Sequence, residues 1–168
     1  MFSTNSSKLG VDLTQASSTQ NFAVGDTIRG SDGSIWQYAC AATTVSAYAV
    51  VAINASGSMN MATLTALDNS SGGYQLAVAQ FAFAPSDYGW VPVHGVGGPG
   101  GTFKVLVSGS SSAGVALYVA GSGRLSITAA ASGTIAGIAI VSGTDTANTA
   151  VTATPCIITW PKTRSLGQ

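Results

Sequence analysis

Short apolar runs separated by turn residues recur along the chain from residue 21 onward. Val45–Ile53 is almost continuously apolar and ends in β-branched residues, which favours a buried strand. Residues 74–84 instead alternate, with Leu76 and Val78 on one parity and Ala77, Ala79, Phe81 and Phe83 on the other. Since successive strand side chains point to opposite faces, this alternation predicts a strand that lies between two layers.

Two tight turns predict hairpins. Thr27–Arg29 and Ile35–Tyr38 flank a turn at residues 30–34 that contains Asp-Gly, a strong hairpin signal. Ala116–Val119 and Arg124–Ile127 flank a second turn, Gly-Ser-Gly. Residues 61–67 fit either a short helix or a strand, because their periodicity favours neither.

Further apolar runs complete the series. We expect strands at residues 90–94, 103–107, 134–141 and 151–160, with loops at 95–101 and 142–148 and the last strand ending at Pro161. The chain has no Glu and no long segment with a capped helical period, so nine or ten strands are expected. The predicted fold is all-β: an antiparallel β-sandwich, jelly-roll-like, or a β-barrel, without a fixed-period repeat.

The first 20 residues differ from the rest because they are polar and carry few large apolar groups. Such a stretch buries too little surface to offset its ordering entropy alone. We therefore expect residues 1–20 to form an N-terminal arm, mobile, frayed or laid across a neighbouring molecule. Residues 21–168 are expected to form one β domain.

The charge content is low, with 7% charged residues against about 25% in typical domains and a formal net charge of zero. The six basic residues are scattered, whereas nucleic-acid binding needs them gathered on one face. No apolar stretch is long enough for a membrane span, and no secretory signal is visible. We expect a protein made in the cytoplasm, with no nucleic-acid or membrane partner, whose neutral surface is covered by other subunits.

The sequence offers little catalytic or metal-binding chemistry. His94 is the one imidazole, no nucleophile-elbow motif is present, and the aspartates lie in apparent turns. Cys and His clusters of metal-ligand spacing are missing. We expect no enzyme activity, cofactor or metal site, and we favour buried free thiols at Cys40 and Cys156, with a disulfide left open.

The aromatic residues are the remaining candidates for a functional surface. Trp36 and Tyr38 share one strand face, so one face of that strand is expected to be core. For Trp90, core packing or a subunit interface is favoured over a ligand platform. The candidate interface residues are Phe2, Phe22, Trp36, Tyr38, Tyr88, Trp90, His94 and Trp160.

Several of these residues carry a resemblance to a known family. The segments Phe22-Ala-Val-Gly-Asp26, Gly30-Ser-Asp-Gly-Ser-Ile-Trp-Gln-Tyr38 and Ala77-Val-Ala-Gln80 lead into Tyr88-Gly-Trp-Val-Pro-Val-His-Gly95 and Phe103-Lys-Val-Leu-Val107. This sequence resembles the head decoration, or cement, proteins of tailed bacteriophages, except that Pro92 stands where the common strand-end pattern has Gln. The alternation of apolar strands with Gly-Ser turns extends the resemblance over most of residues 21–160.

The resemblance implies a structural function on the virion. Such a protein binds the outer surface of an assembled icosahedral head, contacts the major capsid protein, and associates with itself as a dimer or trimer. An alternative from another class is a fibre or adhesin module that binds a carbohydrate or receptor through exposed aromatic residues. Hydrolysis by His94 or an aspartate is the third and least favoured hypothesis.

Overall fold

The structure is a computed structural model that describes residues 11–63, 74–96, 103–109, 111–128, 134–141 and 151–164. Within these ranges the chain is all-β and contains no helix, which confirms the predicted fold class. Accordingly, no helix there has the length and apolar character needed to cross a membrane. The strands are β1 (Thr27–Arg29), β2 (Ile35–Ala41), β3 (Val50–Ile53), β4 (Ser58–Met61), β5 (Gln75–Val78), β6 (Tyr88–Gly95), β7 (Phe103–Ser108), β8 (Leu117–Gly121), β9 (Arg124–Ser126), β10 (Thr134–Ile140) and β11 (Val151–Arg164).

The last five strands close into a barrel. They pair in the order β10-β8-β9-β7-β11, and β11 pairs again with β10 to complete the ring. The sheet continues outward from β11 through β6, β2, β4, β3 and β5, while β1 pairs with β2 as predicted for the first hairpin. The second predicted hairpin, β8–β9, is also present and antiparallel.

The strand order repeats. In the first unit, which we define as β2–β6, the order is β6-β2-β4-β3-β5, and in the second unit, β7–β11, it is β11-β7-β9-β8-β10. Each strand of one unit therefore has its counterpart five strands later. The two units join through β6 and β11, where the equivalent positions His94 and Thr159 pair with each other.

The register repeats with the order. Ala41 pairs with Met59, and Val107 pairs with Leu125, so the partner lies 18 residues downstream in both units. In the first three strands of each unit, a residue of the second unit therefore lies 66 positions after its equivalent in the first unit. The sequence does not predict this repeat, because the equivalent residues share few identities and the offset falls to 65 in β6 and β11.

Each unit has its own apolar interior. The first unit packs small side chains around Phe83, whereas the second packs larger aliphatic ones. The opposite faces of β2, β3, β5 and β6 join the cluster of the second unit, so every residue of Val50–Ile53 is buried. The prediction that residues 74–84 form a strand between two layers is confirmed for Gln75–Val78 alone, where Leu76 and Val78 lie in one cluster and Ala77 in the other; the predicted strand was too long, since β5 ends at Val78.

Two parallel pairs interrupt the predicted antiparallel sheet. They are β2–β4 and β7–β9. In each unit a tight hairpin, β3–β4 or β8–β9, turns the chain back so that its second strand runs alongside the unit's first strand. The described residues contain eleven strands rather than nine or ten, and β4 begins before the 61–67 segment that the sequence left undecided.

The predicted strand Val45–Ile53 was too long. Tyr48 has a φ of 64°, a left-handed conformation that breaks the extended backbone, and β3 begins only at Val50. Before the break, Val45 forms an isolated bridge with Phe83, with backbone hydrogen bonds of 2.9 Å in both directions. The apolar run thus belongs to two separate extended pieces.

The prediction that the last strand ends at Pro161 was wrong, since β11 continues to Arg164. Ala136 pairs with Lys162 and Ile138 with Ile158, so three β11 residues face the single residue Gly137. Proline is tolerated in strands at such bulges because its missing N–H is not needed for the ladder. The bulge therefore carries the strand past Pro161.

Part of the predicted N-terminal arm lies against its own chain. Ser17 bridges Tyr88, where each backbone N–H donates to the other carbonyl at 2.9 and 2.8 Å. Val11 and Leu13 are half-buried against the core. Residues 1–10, including Phe2, are outside the described residues, and the domain boundary at residue 20 stays a prediction.

Both cysteines are free thiols. Cys156 is fully buried in the second unit, whereas Cys40 is only half-buried on β2. Strand β6 lies between β2, which carries Cys40, and β11, which carries Cys156, so these two strands are not neighbours in the sheet. Burial raises the pKa of the Cys156 thiol from 9.0 to about 12, because an ionised sulfur is poorly solvated there.

Candidate functional site

Four of the candidate aromatic residues form one cluster on β2, β6 and the segment before β1. Tyr38 and Trp90, cross-strand partners, have ring centroids 5.1 Å apart and are almost fully buried. Phe22 covers both, at 5.3 Å from each ring. Tyr88 stacks on Tyr38 at 6.2 Å with an interplanar angle of 15° and stays half-buried. Core packing or a subunit interface was favoured for Trp90 over an open platform, and its 1% exposure places it in the core.

The segment 11–22 holds this cluster in place. The backbone N–H of Asn21 donates a 3.1 Å hydrogen bond to the Tyr38 hydroxyl oxygen, which satisfies a polar group at the edge of the core. Gly89 allows the close approach of its neighbours, because a Cβ there would lie 2.6 Å from Phe83 Cε1 and 3.3 Å from the Gln15 carbonyl oxygen. A side chain at position 89 would therefore displace the Phe83 ring and would also push the segment away by a few tenths of an ångström.

A groove of about 400 Å³ opens between this segment and the aromatic cluster. Its apolar wall comes from Phe22 and Tyr88, and its polar groups come from the segment that carries Asp12. Cavities of this size accommodate a small molecule or a single large side chain. The residues that line it are Val11, Asp12, Gln15, Ala16, Ser17, Asn21, Phe22, Tyr38, Tyr88, Gly89 and Trp90.

Hydrogen bonds fix the charge at the groove. The carboxylate of Asp12 accepts from the Thr14 hydroxyl at 2.6 Å and from the Thr14 backbone N–H at 2.8 Å. These bonds, led by the hydroxyl, lower the pKa of Asp12 below its ordinary value of 3.8, because they stabilise the ionised form. The rim of the groove is thus negatively charged at neutral pH.

Cys40 is the cross-strand partner of Tyr88. The pKa of the Tyr88 phenol is raised above its ordinary value of 10.0, mainly because a phenolate there would be repelled by the Cys40 sulfur. A hydrogen bond with the same sulfur and the neighbouring Tyr38 act in the same direction. Tyr88 therefore keeps its proton at neutral pH and presents a neutral, amphipathic ring to the groove.

Trp36 lies apart from the groove and belongs to the core. Its ring packs edge-on against Phe103 with centroids 5.5 Å apart, and 1% of its surface is exposed. The indole N–H donates a 2.8 Å hydrogen bond to the buried Ser34 hydroxyl, which itself donates to Asp32 at 2.6 Å. The expectation that Trp36 and Tyr38 share a core face is confirmed.

His94 and Trp160 form a third location, at the other end of β6. Their rings stack with centroids 5.8 Å apart and an interplanar angle of 26°. Trp160 is 49% exposed and has a φ of 50°, which is unusual for a residue other than glycine. The Nδ1 atom of His94 is buried and has no hydrogen-bond partner among the described residues.

The hydrolytic hypothesis rests on His94 and the aspartates. In a triad an acceptor orients the second nitrogen of the imidazole, and among the described residues His94 Nδ1 has no hydrogen-bond partner. Asp12 and Asp32 each accept the backbone N–H two residues on, the turn role expected of them. In the same described ranges, no three His, Cys, Asp or Glu side chains gather as a metal site.

The structure thus divides seven of the eight candidate residues between the groove, the core and the Trp160 surface, and the eighth, Phe2, lies outside the described residues. Sequence reasoning missed Asp12, Gln15 and Cys40, because only cross-strand pairing and the path of the segment 11–22 bring them to Tyr88. Comparisons with protein-family models, curated proteins and solved structures found no match for this chain.

Proposed function

We propose that this chain is a capsid decoration protein, which binds the outer surface of an assembled icosahedral phage head and stabilises the junctions between capsomers. Its partners are the major capsid protein and other copies of itself, and its place is the virion, after synthesis in the host cytoplasm. It acts by adhesion and carries no catalytic step or cofactor.

The observation that carries the proposal is the character of the surface. Seven large apolar side chains among the described residues are exposed, in a chain with only six acidic and six basic residues. A surface with few charges and several exposed apolar side chains is typical of a protein whose surface is covered by neighbouring subunits. The exposed side chains are Tyr74, Val96, Val115, Ile127, Val141, Val151 and Trp160.

Stabilisation follows from linkage. A protein that binds the intact shell, and not its ruptured state, shifts the equilibrium toward the intact shell by mass action. Many weak contacts suffice, because copies on a closed lattice act together and raise the effective concentration of one another.

The decisive experiment counts copies of the full chain on purified particles by mass spectrometry and compares the heat resistance of particles with and without it. Decoration predicts hundreds of copies and loss of heat resistance when the gene is deleted, with recovery on complementation by the wild-type chain. A few copies per particle would instead favour a fibre, and none would overturn the proposal.

A saccharide-binding fibre or adhesin module is the second candidate, favoured by the groove with its half-buried Tyr88 and Phe22. Aromatic rings beside amide and carboxylate groups can bind the apolar and hydroxyl faces of a sugar. Saturable binding on a glycan array that is lost in Tyr88→Ala, with the fold intact, would support it. Trp90 is too buried for this test, because its removal would open a core cavity.

A further inference from the structure

Charge is divided between the two halves of the chain. Residues 1–96, which include the first unit, contain five aspartates and two basic residues, a formal charge of −3. Residues 97–168, which include the second unit, contain one aspartate and four basic residues, a formal charge of +3. The net charge of zero thus hides an acidic half and a basic half, and opposite charges on one molecule favour head-to-tail contact between copies.

A protruding side chain marks the basic half. Trp160 leaves the bulge of β11 in a left-handed conformation and is half exposed, with one ring face on His94. Val141 on the same unit is equally exposed, and Lys162 is exposed two residues after Trp160. Strained backbone that presents an aromatic residue to solvent is a common feature of binding surfaces.

A recess marks the acidic half. The groove of about 400 Å³ on the first unit has Phe22 and Tyr88 on its wall and the exposed carboxylate of Asp12 on its rim. Its size accommodates one indole side chain, and its wall offers two aromatic rings against which that indole can pack.

One strand connects the two features and keeps them apart. Tyr88 lies at the start of β6, in the groove, while His94 lies near its end, under Trp160. Six residues of extended strand span about 20 Å. A copy therefore cannot place its own Trp160 in its own groove, and only a second copy can.

We propose that the groove of one copy binds Trp160 of a second copy, with Lys162 of that second copy beside the Asp12 rim. The contact joins two different surfaces, so each bound copy still offers a groove at one end and a tryptophan at the other. Such a contact generates a closed ring or an open filament rather than a symmetric dimer. The proposal goes beyond capsid decoration and needs no particle.

The test is sedimentation of the purified full chain over a concentration series, with three variants. The wild type is expected to form species larger than a dimer, and Trp160→Ala and Asp12→Lys are each expected to weaken association at least tenfold. Mixing these two variants should restore a complex of two copies and no more, because one retains the groove and the other the tryptophan. Val96→Ala, which shortens a 65% exposed side chain, is the matched control and should associate like the wild type.

Charge reversal sharpens the result. Lys162→Asp alone should weaken association, whereas Asp12→Lys combined with Lys162→Asp should restore it, and added salt should weaken the wild type. Circular dichroism and thermal unfolding of each variant establish that the fold is kept.

A wild type that stays monomeric at millimolar concentration, a symmetric dimer, or association unaffected by Trp160→Ala would each overturn the proposal. So would saccharide binding in the groove that leaves association unchanged. None of these outcomes bears on particle binding, which the copy count tests separately.

Discussion

The two units of the molecule share one strand order and one register, yet only the second closes into a barrel. In the second unit β10 pairs with β11 over its whole length. In the first unit the chain leaves β5 at Val78 and crosses to β6 by way of Phe83, which bridges Val45 instead. The same topology thus ends in a strand pair in one unit and in a buried aromatic side chain in the other.

The interiors differ in the same way. Alanines line much of the first unit, and Phe83, beside Gly89, is the largest fully buried side chain of its cluster. At equivalent positions the second unit has Val105 and Val107 in place of Ala39 and Ala41. The comparison teaches that close packing constrains the total volume of an interior, whereas the division of that volume among positions can change.

The largest effect on this comparison is expected from Phe83→Ala. This change removes the ring that fills the first unit and should lower the free energy of unfolding by about 3–5 kcal/mol. Urea denaturation measures it. Phe81→Ala is the control. The Phe81 ring packs on the Phe83 ring with centroids 4.6 Å apart but is only half-buried, so its removal should lower the free energy of unfolding by less. Equal losses from the two variants would show that Phe83 has no special place in the first unit.

The next largest effect on stability is expected at Gly137, in the β10–β11 bulge, which has no counterpart in the first unit because β5 does not pair with β6. A Cβ on Gly137 would lie 2.5 Å from the Thr159 carbonyl oxygen, and the residue has a φ of 86°. Gly137→Ala should therefore cost about 2–4 kcal/mol, from the left-handed conformation and the clash together. Gly114→Ala is the control, with a φ of 78° but open space, and should cost about 1–2 kcal/mol. Thermal unfolding of both variants is the measurement, and a milder loss at Gly137 than at Gly114 would contradict the role of the bulge.

Alkaline pH distinguishes the units through Cys156, which stands where the first unit has Val91. Its pKa is raised from 9.0 to about 12 by burial, so the unfolded chain releases this proton first. The stability it contributes is complete below pH 9 and is lost as pH rises from about 9 to 12, at about 1.4 kcal/mol per pH unit. Urea denaturation at several pH values should show this slope in the wild type and a shallower one in Cys156→Val. Identical slopes would refute the assignment.

The smallest effect is expected at Tyr48, whose left-handed conformation matches that of Gly114 66 residues later. Tyr48→Gly relieves about 1–2 kcal/mol of strain but loses the ring contact with Lys104 and gains freedom in the unfolded chain. The free energy of unfolding should change by less than about 1 kcal/mol in thermal unfolding. A loss above about 2 kcal/mol would show that the contacts of the Tyr48 ring outweigh the strain of its backbone.

Local signals allowed much of the fold to be predicted. The Asp-Gly and Gly-Ser-Gly turns predicted both hairpins, since a tight turn and its flanking strands are specified by adjacent residues. The alternation in residues 74–84 predicted the two-sided burial of β5 for the same reason, although the strand itself ends at Val78. The repeat and the parallel pairs were not predictable, because both depend on register between strands far apart in sequence.

The candidate site was predictable only in part. Aromatic side chains near Tyr88 were identified by type and spacing, and four of them do gather around the groove. The carboxylate of Asp12 and the thiol of Cys40 were not identified, because nothing near them in sequence points to Tyr88. Burial was also hidden: Trp36 and Trp160 have the same side chain, yet they are 1% and 49% exposed.

The parallel pairs β2–β4 and β7–β9 impose an order on folding. Ala41 and Met59, or Val107 and Leu125, meet only after the 17 residues between them have turned back on themselves. The hairpins β3–β4 and β8–β9 close much shorter loops and therefore cost less chain entropy to form. We expect each hairpin to form first and the preceding strand, β2 or β7, to pair with it afterwards. The N-terminal half of the chain can then begin to fold while the C-terminal half is still being synthesised.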